Sequence, residues 1–241
     1  MNPSASAVAE PRVDGSTRDP VPELVGGDRL RRVEFRRRYE AMPGLKKAEL
    51  IEGVVYLPSP VRLALHGRPH GRLMGWLGTY EAETPGVECA DNATLRLDND
   101  NEPQPDALLR ILPEHGGLSS TDDDYLMGPV ELVAEVSGST ASYDLHDKLN
   151  AYRRSGVLEY VVWRVQDGAI DWFVLTEGRY DRLTADEAGV LKSPTFPGLW
   201  LDAPALLRGD LAAVLRTLRS GCGGEEHASF ASRLSDRRSR P

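Results

Sequence analysis

Four side chains in this sequence could do chemistry together: Glu49, Asp106, Glu135 and Lys148. Each carboxylate stands in or beside an apolar run that reads as a strand. Glu49 lies in AELI, Asp106 opens PDALLRIL, and Glu135 interrupts LVAEV. A charge buried in such a strand without a partner costs several kcal/mol, so it calls for a cation, a hydrogen-bond donor or a metal. Carboxylate oxygens suit Mg²⁺ or Mn²⁺, which polarise a phosphate and lower the pKa of an attacking water. A nearby lysine can orient that water or help deprotonate it. The chemistry on offer is phosphodiester hydrolysis. Spacing alone also leaves ordinary readings open: Asp106 as a turn residue, Glu135 as a buried ion-pair partner, and Asp144 with Lys148 as a helical i,i+4 pair.

The elements that must position these groups follow from periodicity. Pro129 to Arg153 reads as a buried strand over Leu132–Val136, then a small hydroxylated turn. A helix follows, in which Leu145, Leu149 and Tyr152 share a face. Upstream, the pattern predicts a helix over Arg31–Ala41 and two strands, Ala48–Ile51 and Val54–Leu57, turning at Glu52-Gly53. A helix over Pro69–Glu83 comes next, then strands Val87–Ala90, Thr94–Leu97 and Pro105–Leu112. Pro113 to Met127, with Asp122-Asp123-Asp124, reads as a surface loop without metal. Downstream, Glu159–Val165, Ile170–Leu175 and Gly178–Leu183 form a meander. PTFPGLWLD is irregular, and Ala203–Ser220 is one helix. Residues 1–27 and 221–241 are polar and expected to be disordered around a 28–220 domain.

The 241 residues carry a formal charge of −8 and only two cysteines, which excludes a disulfide framework and argues against a protein that simply coats nucleic acid. No run approaches the ~20 apolar residues of a membrane span. The first residues lack the basic start and apolar core of a signal peptide, so the expected location is cytoplasmic. An early basic segment (Arg29, Arg31, Arg32, Arg36, Arg37, Arg38, Lys46, Lys47) reads first as a solvated face and second as a phosphate contact.

His66 and His70, four apart in HGRPH, invite a zinc reading. Gly67 and Pro69 argue against a helix through both, and no glutamate follows His66. A capping or packing role is expected for His70, with support of an active site second; His146 is expected at the surface. Phosphate-loop, dinucleotide and nucleophile-elbow motifs are absent.

The succession AELIEGVVYLPSP, PHGRLMGWL, PDALLRIL and ELVAEVSGST…DLHDKLNAYRRSGVLEYVVWRV resembles the Uma-two (Uma2) family of restriction endonucleases, within the PD-(D/E)XK nuclease superfamily. The similarity runs from about Arg31 to Ala212. It implies an α/β fold with a restriction-endonuclease-like core: a mixed sheet flanked by helices, with a C-terminal strand meander. It also implies a Mg²⁺- or Mn²⁺-dependent endonuclease acting on DNA, with Asp106 and Glu135 on the metal. Glu49 would complete the carboxylates, Lys148 would position water, and Asp144 would orient Lys148; a homodimer is compatible. Two departures stand out. The superfamily's lysine, two residues past the glutamate, is Ser137 here, so Lys148 must serve from the helix. The family's proline-containing turn is shortened to EVSGST. The alternative is an inactive nuclease scaffold used for binding or dimerisation.

Overall fold

The computed structural model describes residues 20–57, 60–138 and 141–238. In chain order they form helix α1 (Arg32–Glu40), hairpin strands β1 (Glu49–Ile51) and β2 (Val54–Tyr56), and a π-helical turn (Leu63–Gly67) running into α2 (Arg68–Glu83). Strands β3 (Val87–Asp91), β4 (Leu95–Arg96), β5 (Ala107–Ile111), β6 (Ser120–Asp122), β7 (Tyr125–Met127) and β8 (Leu132–Ser137) follow. A helix in three sections comes next: α3 (Ala141–Tyr143), a π-helical turn (Asp144–Lys148) and α4 (Leu149–Ser155). The chain ends with β9 (Glu159–Arg164), β10 (Ala169–Thr176), β11 (Arg179–Arg182), β12 (Val190–Lys192), β13 (Trp200–Asp202) and helices α5 (Ala203–Arg208), α6 (Leu211–Cys222) and α7 (Glu225–Arg238).

The centre is a six-stranded sheet in the order β11-β10-β9-β8-β5-β3. Its pairs are antiparallel except β8 with β9, the two strands joined by the three-section helix. This is the mixed sheet flanked by helices that the resemblance implies. The period-2 alternation of its strands makes two cores. From β8, β5 and β9, the residues Leu132, Ala134, Val136, Ala107, Leu109, Val161 and Trp163 pack with Leu73, Trp76 and Tyr80 of α2 and with the C-terminal helices. The alternate residues Val133, Leu108, Tyr160 and Val162 pack with Tyr152 and with Leu145 and Leu149 of the three-section helix. Any polar group on this second set of positions must therefore face that helix.

Several local expectations change. The stretch from Pro113 to Met127 is not all loop, because β6 and β7 form a hairpin around Asp123 and Asp124, both with positive φ. The stretch across PTFPGLWLD is framed by a ribbon of β12 and β13. The expected Ala203–Ser220 helix breaks in two. Gly209 ends α5 in the left-handed region and Asp210 caps α6 by accepting the Ala213 N–H at 2.9 Å.

The tail expected to be disordered from 221 carries α7 instead. It is fixed by buried Phe230 and Leu234, by His227 Nε2 at 2.9 Å from Thr84 Oγ1, and by His115 Nδ1 at 2.7 Å from the Leu234 carbonyl. At the other end, residues 1–19 of the expected disordered segment lie outside the described residues. Leu24, in the same segment, is buried with Phe35, Leu50 and Val55.

Candidate active site

Strand register brings two of the carboxylates together. Ala107 pairs with Ala134 across β5 and β8, so Asp106 and Glu135 stand opposite each other on the next rung. Both sit on the alternation that faces the three-section helix. Two unusual bonds lock this rung. Asp106 Oδ2 accepts the Val136 N–H at 2.8 Å, and Glu135 Oε2 lies 3.4 Å from the Asp106 backbone nitrogen. The sheet backbone thus holds both carboxylates side by side with almost no exposure to water.

The facing helix supplies the cation. Lys148 Nζ lies 2.8 Å from Glu135 Oε1 and 2.9 Å from Glu49 Oε1. Tyr152, one helical turn further on, donates its hydroxyl to the same Glu135 Oε1 at 3.0 Å. Lys148 closes the π-helical turn, a distortion that recurs at functional sites. Its ammonium also sits 5.3 Å from the Tyr143 ring centroid. Glu49 is fixed from β1 by the Gln104 N–H at 2.8 Å. Glu49, Asp106, Glu135 and Lys148, far apart in the chain, therefore converge. Buried Asp144 adds its charge to the hold on Lys148, whose close ion pairs go to Glu135 and Glu49.

His66 and His70 need a correction. The π-helical turn and α2 make the chain helical through both, despite Gly67 and Pro69. Pro69 falls in the first turn of the α-section, where a missing N–H is tolerated, and the wider π turn carries Gly67. The two rings lie 5.5 Å apart and both reach Asp106. His66 Nε2 is 3.1 Å from Asp106 Oδ1. His70 Nε2 is 2.8 Å from the Asp106 carbonyl and 3.0 Å from Asp91 Oδ1. Lys47 approaches the same Oδ1 at 3.7 Å. His146 is exposed, as expected, and so is the Asp122-Asp123-Asp124 triplet.

Sequence reasoning passed over Lys47, His66 and Tyr152 as members of this cluster. Lys47 precedes Glu49 by two, and Tyr152 follows Lys148 by four, so strand and helix periodicity each held a usable signal. Four arginines of the early basic segment are paired with carboxylates. Arg31 pairs with Asp100, Arg36 with Glu40 and Glu102, and Arg37 and Arg38 with Glu34.

The electrostatics divide the carboxylates. At Asp106 burial opposes the charge, but the His66 hydrogen bond, Lys47 and the Val136 N–H overcome it and hold the carboxyl at about 2. At Glu135 burial dominates, and Asp106, Asp144 and Glu49 add to it; together they push the carboxyl up against the pull of Lys148. For Lys148 burial favours the neutral amine, yet Glu135 and Glu49 outweigh it and keep the ammonium well above its ordinary range. One ammonium shared by two buried carboxylates leaves room for one more positive charge.

A depressed acid stabilises the fold above its unfolded pKa and stops doing so as pH falls through its folded one. Asp106, held at about 2 against an ordinary 3.8, contributes on the order of 2 kcal/mol that vanishes between those values. Asp106→Asn should therefore flatten the loss of stability between about pH 4 and pH 2. Urea unfolding of both proteins across that range measures it.

The donor set can be tested against a divalent cation. Among the described residues, no group of three or more His, Cys, Asp and Glu could hold a metal ion. Asp106 and Glu135 offer a pair of oxygen donors instead. That suits Mg²⁺, which keeps several waters and takes one or two carboxylates plus phosphate oxygens, and it does not suit zinc. A carboxyl that burial pushes up is also one that a nearby cation favours in its charged form.

With the geometry in place, comparison with known proteins gives two findings. The family Uma2, described as "Putative restriction endonuclease", matches residues 33–204. The fold resembles the crystal structure of "a putative nuclease belonging to DUF820" from Anabaena variabilis. That match has a TM-score of 0.56 and 11% identity, and it covers 71% of this chain and 96% of that one. No curated protein matches.

Proposed function

Because the chain belongs to the Uma2 family, we propose that it is a divalent-metal-dependent endonuclease that hydrolyses DNA phosphodiester bonds. The observation that carries this reading is the Asp106–Glu135 rung with the Lys148 ammonium 2.8 Å from Glu135. Asp106 and Glu135 are the residues that would hold Mg²⁺ or Mn²⁺. When bound, the ion supplies Lewis acidity toward a phosphate oxygen and acidifies water.

The protein groups do the rest. Glu49 and Glu135 fix the Lys148 ammonium at the back of the site, where it offers protons in hydrogen bonds and balances carboxylate charge. Tyr152 fixes the orientation of Glu135. Val136 and His66 leave Asp106 ionised at every physiological pH. Lys148 is too firmly cationic to take a proton from water, so its role is to donate and to position.

A second reading has one observation of its own. Ser137 occupies the strand position where the superfamily has lysine, and Lys148 already has two carboxylate partners. A scaffold of this kind that only binds or dimerises would show the same ion pairs.

Metal removal separates the two readings. Protein treated with chelator should leave supercoiled plasmid intact, and addition of Mg²⁺ or Mn²⁺ should produce nicked and linear forms. No cleavage with any divalent ion on single- or double-stranded DNA would favour the binding scaffold.

A further inference from the structure

Lys148 cannot be the group that meets the substrate phosphate. Its side chain is 4% exposed and its ammonium is paired with both Glu135 and Glu49. The non-bridging oxygens of a phosphodiester arriving at Asp106 need other donors, on the side of that carboxylate that faces water. Two side chains stand there: Lys47, 27% exposed, and His66, 26% exposed, flanking the same Asp106 oxygen. Resting on the nuclease reading above, we propose that Lys47 and His66, brought together on Asp106 Oδ1, form the clamp that binds the scissile phosphate.

Lys47 is not consumed by the carboxylate it flanks, while His66 meets that carboxylate through Nε2 alone. Asp106 Oδ2 is already satisfied by the Val136 N–H, and Lys47 Nζ stays 3.7 Å from Oδ1, beyond hydrogen-bond reach. Lys47 donates instead to a neutral acceptor, Asn92 Oδ1, at 3.1 Å. Its other donors and its charge are available to an anion. For His66, Nδ1 is enclosed and has no hydrogen-bond partner among the described residues. The Nε2 edge is therefore the one a ligand can use, and a phosphate oxygen arriving there shares or takes over the contact now made to Asp106 Oδ1 at 3.1 Å.

A buttress holds this arrangement from behind. Asn92 adopts a left-handed φ of 50°, turning its amide so that Oδ1 meets Lys47 while Nδ2 donates to Asp91 at 2.7 Å. Asp91 in turn lies 3.0 Å from His70 Nε2, which also meets the Asp106 carbonyl. A left-handed asparagine of this kind is tolerated where surrounding contacts fix it, and such residues gather at ligand clamps. Asn92 and His70 are positioning residues; Lys47 and His66 are the ones that touch phosphate.

The test reads binding without cleavage. A fluorescein-labelled DNA duplex is titrated with protein in Ca²⁺ in place of Mg²⁺, by anisotropy, across a series of salt concentrations. Lys47→Ala should weaken binding about tenfold and reduce the slope of log affinity on log salt by about one. His66→Ala should weaken it by a factor of about three to ten. Lys47→Arg should restore most of the affinity, and Lys46→Ala, on an exposed neighbour, should stay within about twofold of wild type. Thermal unfolding of each variant verifies the fold.

Wild-type affinity and salt slope in both Lys47→Ala and His66→Ala overturn the clamp. So does a Lys46→Ala loss as large as that of Lys47→Ala, which would mean diffuse surface charge. If wild type cuts plasmid while either of those results holds, the clamp alone is wrong. If wild type neither binds nor cuts DNA, the nuclease reading falls with it.

Discussion

Lys148→Met should lower folding stability by about 3–5 kcal/mol, because it strands two buried carboxylates with no cation between them. Glu135 and Glu49 are nearly inaccessible to water, and both lean on the one ammonium. Methionine is unbranched and one heavy atom shorter, so it fills most of the space and the loss reports chiefly charge. The same substitution should remove cleavage. Adding Glu135→Gln and Glu49→Gln to Lys148→Met should recover much of the stability and none of the activity. That non-additivity identifies the three as one unit. Urea unfolding of the single and triple variants measures it. A loss below about 1 kcal/mol in Lys148→Met would show that the cluster is far better solvated than its burial indicates.

Asp106→Asn and Glu135→Gln should each lower the rate of DNA cleavage at least about a thousandfold, the equivalent of roughly 4 kcal/mol of lost transition-state stabilisation. Each amide keeps the shape and most hydrogen bonds of the carboxylate it replaces. In the first variant the new side-chain oxygen can still accept the Val136 N–H, and in the second it can still accept from Tyr152. What they lose is the negative charge that a cation needs. Single-turnover cleavage under saturating protein isolates this step from binding. Residual activity within about tenfold of wild type in either variant would place the chemistry elsewhere.

How much of this was legible beforehand depended on the range of each interaction. The strand Leu132–Ser137 announced itself, because an apolar run with one glutamate leaves few readings, and the meander from Glu159 to Arg182 followed from alternation and turn residues. The site carboxylates were visible as anomalies in apolar strands. Their convergence was not, since it depends on a register between β5 and β8 that no local pattern encodes. Lys148 lies on the helix that the spacing of Leu145, Leu149 and Tyr152 indicates, but the π-helical turn that presents it has no sequence signature.

The misses have physical causes too. His66 was set aside because Gly67 and Pro69 look like helix breakers, and a π-helical turn leading into the first α-turn accommodates both. Helix α7 was hidden because Phe230 and Leu234 are few among polar neighbours, and its hold on the body comes from His115 and Thr84, more than a hundred residues away in the chain. No helix among the described residues is long and apolar enough to cross a membrane.

If Asp106 and Glu135 share a divalent cation, direct metal binding reveals it. Calorimetric titration of Mn²⁺ should show one site in wild type that tightens as pH rises, because burial pushes the Glu135 carboxyl up and protons compete with the ion there. Asp106→Asn and Glu135→Gln should each weaken that site by at least about tenfold. Mn²⁺ binding that is absent from wild type, or unchanged in both variants, would contradict a shared ion.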